Sequence, residues 1–179
     1  SANAERWVPE EKPDGRSNLQ RGNQMPPKEC LTCQFGENPP EDLGGRVFET
    51  QYFRIEHAVG PVFPGSMVLA FKEHIESLGE LDPDQAREFG EISTLLVRAI
   101  TEVTGADRVY ISMWAEESRH VHLVFMPVTA ELRQKFGGLK ASRLQAAMKE
   151  ANYSPDPVLA RQYSARIARE LQTNWLTSA

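Results

Sequence analysis

Two short stretches of the chain concentrate side chains capable of nucleophilic, acid–base or metal chemistry: His120-Val121-His122 and Cys30-Leu31-Thr32-Cys33. On a strand, successive side chains alternate faces. His120, His122, Val124 and Met126 therefore share one face, and Val121, Leu123 and Phe125 the other. The second set is an unbroken apolar row that belongs against a core, which leaves two imidazoles side by side on the opposite face. Imidazole changes protonation near neutral pH and can act as nucleophile, acid, base or metal ligand. Taken alone, a His-x-His pair is equally well explained as two polar residues on a half-exposed strand.

The Cys-x-x-Cys loop holds two thiols close enough to take two corners of a zinc tetrahedron. The same spacing serves thiol redox chemistry when it opens a helix beside a βαβ unit. Gly36 and the Pro39-Pro40 pair follow at once and argue against such a helix; two idle cysteines are the remaining alternative. A zinc site needs two more ligands, and the chain offers His57, His74, His120 and His122.

The elements that must position these groups can be read from pattern. Residues 46–56 (RVFETQYFRIE) have the aromatic and β-branched content of one strand or a short hairpin. Gly60-Pro61-Val62-Phe63-Pro64-Gly65 is a rigid turn, followed by a largely buried strand over residues 66–72. Asp82-Pro83 is a helix start, and Phe89, Ile92, Leu96, Ile100 and Val103 recur at three- and four-residue steps until Gly105 closes the element. Two more strands are expected over 108–114 and 121–127, joined by Ala115-Glu116-Glu117-Ser118-Arg119. Helices are expected over 139–151, with Leu144 and Met148 inward, and after Pro155-Asp156-Pro157, with Leu159, Tyr163, Ile167 and Leu171 inward. Strands interleaved with one long helix, without repeated βαβ units, give an α+β fold.

Length and composition bound the function. A chain of 179 residues is one domain's worth and, with 2 Cys, needs no disulfide scaffold. A formal net charge of -5 argues against attachment to nucleic acid by bulk charge. No apolar run approaches the roughly 20 residues that span a bilayer, and the expectation is a soluble cytoplasmic protein with no membrane partner. Residues 1–28 read as a polar N-terminal arm, partly disordered, with Trp7-Val8 expected to dock on the core; 29–130 as the main domain; and 131–179 as a C-terminal helical extension packed on it.

The run Pro64-Gly65-Ser66-Met67-Val68-Leu69-Ala70-Phe71-Lys72-Glu73-His74-Ile75-Glu76-Ser77-Leu78, then the long helix, then His120-Val121-His122-Leu123, resembles the histidine triad (HIT) family in its zinc-bearing bacterial form. The resemblance covers residues 30–127, with several blocks in the family's order and spacing. It implies a HIT-like antiparallel sheet with a long central helix, to which the C-terminal helices are additional, and a homodimer formed through helix and sheet. It further implies a nucleotidyl hydrolase or transferase acting on nucleotide phosphoanhydrides, such as dinucleoside polyphosphates, through a nucleotidyl-histidine intermediate on His122. Cys30, Cys33, His74 and His120 would be the ligands of a structural zinc, and Ser118 and Arg119 would offer donors to phosphate oxygens.

Two positions and one loop depart from the family pattern. Val124 stands where the third triad histidine would be, and valine donates no hydrogen bond. Ala58 stands where an acidic residue binds ribose hydroxyls. The loop before the triad carries Glu116 and Glu117, whose charge disfavours phosphate unless a cation offsets it. Loss of one preorganised donor typically slows such a reaction by about 10²–10³. The competing reading is a zinc-stabilised HIT fold without catalysis, serving as a nucleotide-binding or protein-interaction module; a thiol redox protein built on Cys30 and Cys33 is a third.

Overall fold

The computed structural model describes residues 30–114, 118–138 and 140–176, without the side chains of 141 and 142. The N-terminal arm with Trp7, the loop residues 115–117 and Leu139 lie outside the described residues. Strands β1 (Arg46–Glu49), β2 (Phe53–His57), β3 (Met67–Phe71), β4 (Arg108–Ser112) and β5 (His122–Val128) form one antiparallel sheet in the order β1-β2-β3-β5-β4. Among the described residues five α-helices accompany it: α1 (Leu31–Glu37), α2 (Pro83–Thr104), α3 (Ala130–Lys135), α4 (Ala141–Glu150) and α5 (Pro157–Leu176). This is the α+β arrangement expected, with residues 46–56 resolved as the β1–β2 hairpin.

Helix α2 starts and stops where its residues require. Asp82 accepts from Gln85 N–H while the Gln85 side chain accepts from Asp82 N–H, Pro83 fills the first position, and Gly105 closes the helix in the left-handed region at φ 67°. Its apolar stripe (Ile92, Leu96, Ile100, Val103) packs on Ile55, Leu69, Leu123 and Phe125 from the sheet. The alternation expected of β5 is therefore observed: its odd residues enter this core, and its even residues face the other side.

The C-terminal part differs from expectation in two ways. A separate short helix, α3, precedes α4, and together they bury Leu132, Leu144 and Met148 with Val128 in a second, smaller core. On α5 the buried stripe is Ala160, Ser164, Ile167 and Leu171, while Leu159 and Tyr163 are only partly covered. The shift toward small residues has a steric cause. Ser164 donates to Leu43 O at 2.9 Å, and a Cβ built at Gly44 would stand 2.6 Å from that of Ser164, so the helix lies almost on the backbone there. Ile167 and Leu171 complete the main core.

The turn that delivers β3 is held by His57. Its Nδ1–H donates to Ala58 O at 2.7 Å, and its Nε2 accepts from Gly65 N–H at 2.9 Å, so the ring is neutral and its tautomer fixed. Burial lowers the His57 pKa from its ordinary value, with Ala58 O and Asp42 opposing. Gly65 itself has φ 88°, and a Cβ there would lie 2.6 Å from Thr104 Cγ2.

Two expectations follow for this turn. Gly65→Ala combines a left-handed backbone with overpacking and should destabilise the fold by about 2–4 kcal/mol, read as a lowered midpoint in chemical denaturation. Because His57 is held neutral, its contribution is complete above the unfolded value near 6.5 and declines as pH falls toward the lower folded value. The stability difference between wild type and His57→Gln should therefore narrow between pH 7 and pH 5; a constant difference would show that His57 titrates alike in both states.

Candidate functional site

Helix α1, the residues after β3 and the residue pair before β5 converge at one end of the sheet. Cys30 is the N-cap of α1, with Sγ accepting from Cys33 N–H at 3.4 Å, which places both thiols on the same side of the first turn. A helix does open at the first cysteine, contrary to the expectation drawn from Gly36 and the prolines: the helix simply ends at Glu37, before Pro39. Among the described residues, however, the sheet is purely antiparallel and supplies no βαβ unit for a redox motif.

The thiols face histidines. Cys33 Sγ lies 3.4 Å from His74 Nδ1 and 3.2 Å from His120 Nδ1, and Cys30 Sγ lies 3.8 Å from His120 Nδ1. All four ligand atoms lie within 4.8 Å of one another. Edges of a tetrahedral site with bonds of about 2.0–2.3 Å span about 3.3–3.8 Å, so this set could close around one ion with little movement. The second ring nitrogen of His120 is also committed. It faces Phe71 O at 3.0 Å and must carry the proton, leaving the Nδ1 lone pair for the thiol side. His120 is therefore not an open-face neighbour of His122, as strand alternation suggested; β5 begins only at His122, and His120 is wholly buried.

Electrostatics agree with a ligand cluster. Burial, together with the charges of Arg54 and His74, holds His120 down to about 4, keeping it neutral. Burial opposes ionisation of both thiols, but hydrogen bonds, first that of Ser118, bring Cys30 down to about 7, whereas burial and the adjacent Cys30 push Cys33 up to about 12. Thiolate and imidazole donors in this number suit a closed tetrahedral site for a zinc-like ion.

Beside the cluster lies a cavity of about 600 Å³ whose wall includes His122, Val124 and Ser118. His122 donates through Nδ1–H to His120 O at 2.7 Å, so the lone pair sits on Nε2. The peptide that carries one candidate ligand thus orients the candidate nucleophile. Ser118 Oγ lies 2.9 Å from Thr32 Oγ1 and 3.3 Å from Cys30 Sγ, tying the loop to α1. Arg119, expected next to it as a phosphate donor, is 80% exposed and approaches Glu76 Oε2 at 3.7 Å instead.

Sequence reading missed a buried pair on the cavity wall. Strand register aligns Glu49, Arg54, Ala70 and His122 in one row across the sheet, and Arg46, Glu56, Val68 and Val124 in the next. Arg54 Nη1 donates to Glu56 Oε1 at 2.8 Å, and Arg46 Nε lies 2.9 Å from the same oxygen. Arg54 also donates to Thr32 O, and Arg46 to Gly36 O, so both guanidiniums clamp carbonyls of the cysteine helix. Burial pushes the Glu56 carboxyl above the usual carboxylate range, and the two arginines pull it back. The signal available was weak: period-2 alternation puts Arg54 and Glu56 on one face of β2, but nothing local says that α1 will cover it.

No family model matches the chain, and no curated protein matches it by sequence. Solved structures do. A Hit-like protein involved in cell-cycle regulation from Bartonella henselae superposes with TM-score 0.61 at 15% identity, covering 83% of this chain and 100% of its own. A hypothetical histidine triad nucleotide-binding protein from Sulfolobus tokodaii gives 0.58 at 18%, covering 80% and 93%. A Zn-bound histidine triad family protein from Mycobacterium smegmatis gives 0.54 at 18%, covering 84% and 97%. At these identities the likeness establishes architecture: the chain has the α+β fold of histidine triad proteins, with a Cys2His2 cluster at the end of its sheet.

Proposed function

We propose that the protein is a nucleotidyl hydrolase or transferase that acts on nucleotide phosphoanhydrides, such as dinucleoside polyphosphates, with His122 as nucleophile. The observation that carries this reading is the orientation of His122: Nδ1–H is fixed on His120 O, and the ring stands on the wall of a cavity large enough for a nucleotide. In the reaction, Nε2 attacks the α-phosphorus, a P–N bond forms and the P–O bond to the leaving phosphate breaks. Water or another acceptor then cleaves the P–N bond and restores the imidazole. Of the two loop residues, Ser118 lines the cavity and is the one placed to donate to phosphate oxygens, Arg119 lying beside Glu76. Val124 adds none, so turnover should be slow.

Cys30, Cys33, His74 and His120 would hold zinc in a structural role: bound there, it would tie α1 to the strand ends and steady the peptide on which His122 is hydrogen-bonded. Two free thiols in this geometry fit a reducing, cytoplasmic setting. No described helix is long and apolar enough to cross a membrane. Strand β4, at the edge of the sheet among the described residues, leaves Tyr110 and Ile111 exposed, followed by Met113 and Trp114, and such an apolar edge supports a homodimer built by pairing β4 with a second copy. A second reading, a nucleotide-binding or interaction module without turnover, is favoured by Val124 and by the absence of a carboxylate at Ala58.

Purified protein should hydrolyse dinucleoside polyphosphates at a rate that His122→Ala lowers by at least about 10³, with a nucleotidyl adduct trapped only in the wild type. Equal background rates in both, with nucleotide affinity retained, would leave the binding-module reading. Elemental analysis should find about one zinc per chain, lost in Cys30→Ala and Cys33→Ala, and chelation should lower the thermal midpoint. Metal-free protein of unchanged stability would remove the structural role.

A further inference from the structure

The transfer proposed for His122 makes no use of the buried pair that shares its cavity. Arg54 and Glu56 are each only 3% exposed, yet both form part of the cavity wall, to which Leu31, Phe35, Pro40 and Val62 contribute apolar surface. Both guanidiniums reach the same carboxylate oxygen, Oε1; among the described residues, none of the hydrogen bonds or ion pairs ends on Oε2. A carboxylate has about four acceptor sites, and Glu56 Oε2 is not one of the buried polar atoms left without a partner, so its free acceptor sites open to the cavity that Glu56 lines. Arg54 and Arg46 cannot rotate to serve Oε2 without releasing Thr32 O and Gly36 O. The strand rows set the reach: Glu56 stands two strands from His122 and one row along, at about 12 Å between Cα atoms from a strand spacing of about 4.8 Å. That is within the length of a nucleoside monophosphate whose phosphorus is at His122.

We infer that Glu56 is a specificity-determining residue of the nucleotide site, its Oε2 accepting from a pair of neighbouring donors on the non-reacting part of the substrate. The inference rests on the nucleotide reading above and deepens it. Two sources carry such a donor pair: the amino–imino edge of a guanine-like base and the vicinal hydroxyls of ribose. Arg54 and Arg46 are positioning residues, since they touch Glu56 and α1.

The test is calorimetric binding to the metal-loaded full chain of four probes: AMP, 2′-deoxy-AMP, GMP and IMP. The wild type should prefer GMP over IMP, or AMP over 2′-deoxy-AMP, by about ten- to hundredfold, the first result assigning the base edge and the second the diol. Glu56→Gln should abolish that preference while binding one zinc. Glu56→Asp, which keeps a charge between the arginines but withdraws it from the cavity, should reduce the preference and covers the case in which the glutamine variant does not fold. A wild type that binds all four alike, or a preference unchanged in both variants, overturns the inference and leaves the phosphate chemistry of His122 standing. Failure of all four probes to bind overturns it together with the nucleotide reading.

Discussion

The site depends on one buried imidazole. His120 faces Phe71 O through Nε2 and the two thiols of α1 through Nδ1, so a single ring joins the end of β3, the start of β5 and the short helix that carries the cysteines. Remove that junction and α1, a helix of seven residues, has little of its own to keep it folded. The backbone carbonyl of the same residue then aims His122. Metal-ligand geometry and nucleophile orientation are two outputs of one peptide's placement.

A second junction supports the first from the opposite side. Glu56 gathers Arg54 and Arg46 on one oxygen, and each arginine ends on a carbonyl of α1. Ion pairs this buried seldom add net stability, because desolvation offsets most of the Coulombic gain. Their value is geometric: fixed donors and acceptors hold α1 against the open face of the sheet at a defined depth, and the cavity exists because α1 stands off that face rather than collapsing on it.

Much of this was legible in the chain. Asp82, Pro83, Gln85 and Gly105 define α2 from local chemistry, and the apolar residues of β5 declare their face by alternation, because both signals are read within one element. The two cysteines called for two histidine partners among four, and the resemblance to histidine triad proteins singled out His74 and His120, the two that the fold brings to the thiols. What sequence could not convey is cover. Arg54 and Glu56 lie in a strand that reads as half-solvated, and their burial comes from α1, fifteen or more residues earlier. The burial of His120 has the same non-local origin, as does the small-residue stripe of α5, which answers to the backbone at Gly44.

The placement of α5 bears on how the chain reaches its native state. Ile167 and Leu171 belong to the main core together with Val47 of β1, so the earliest strand and the latest helix are packed in one cluster. On a ribosome, the hairpin β1–β2, β3 and α2 emerge first, with the side of the core that awaits α5 still open to water. The domain can be completed only after residue 171 has cleared the exit tunnel, and until then the exposed apolar surface is a natural docking point for chaperones.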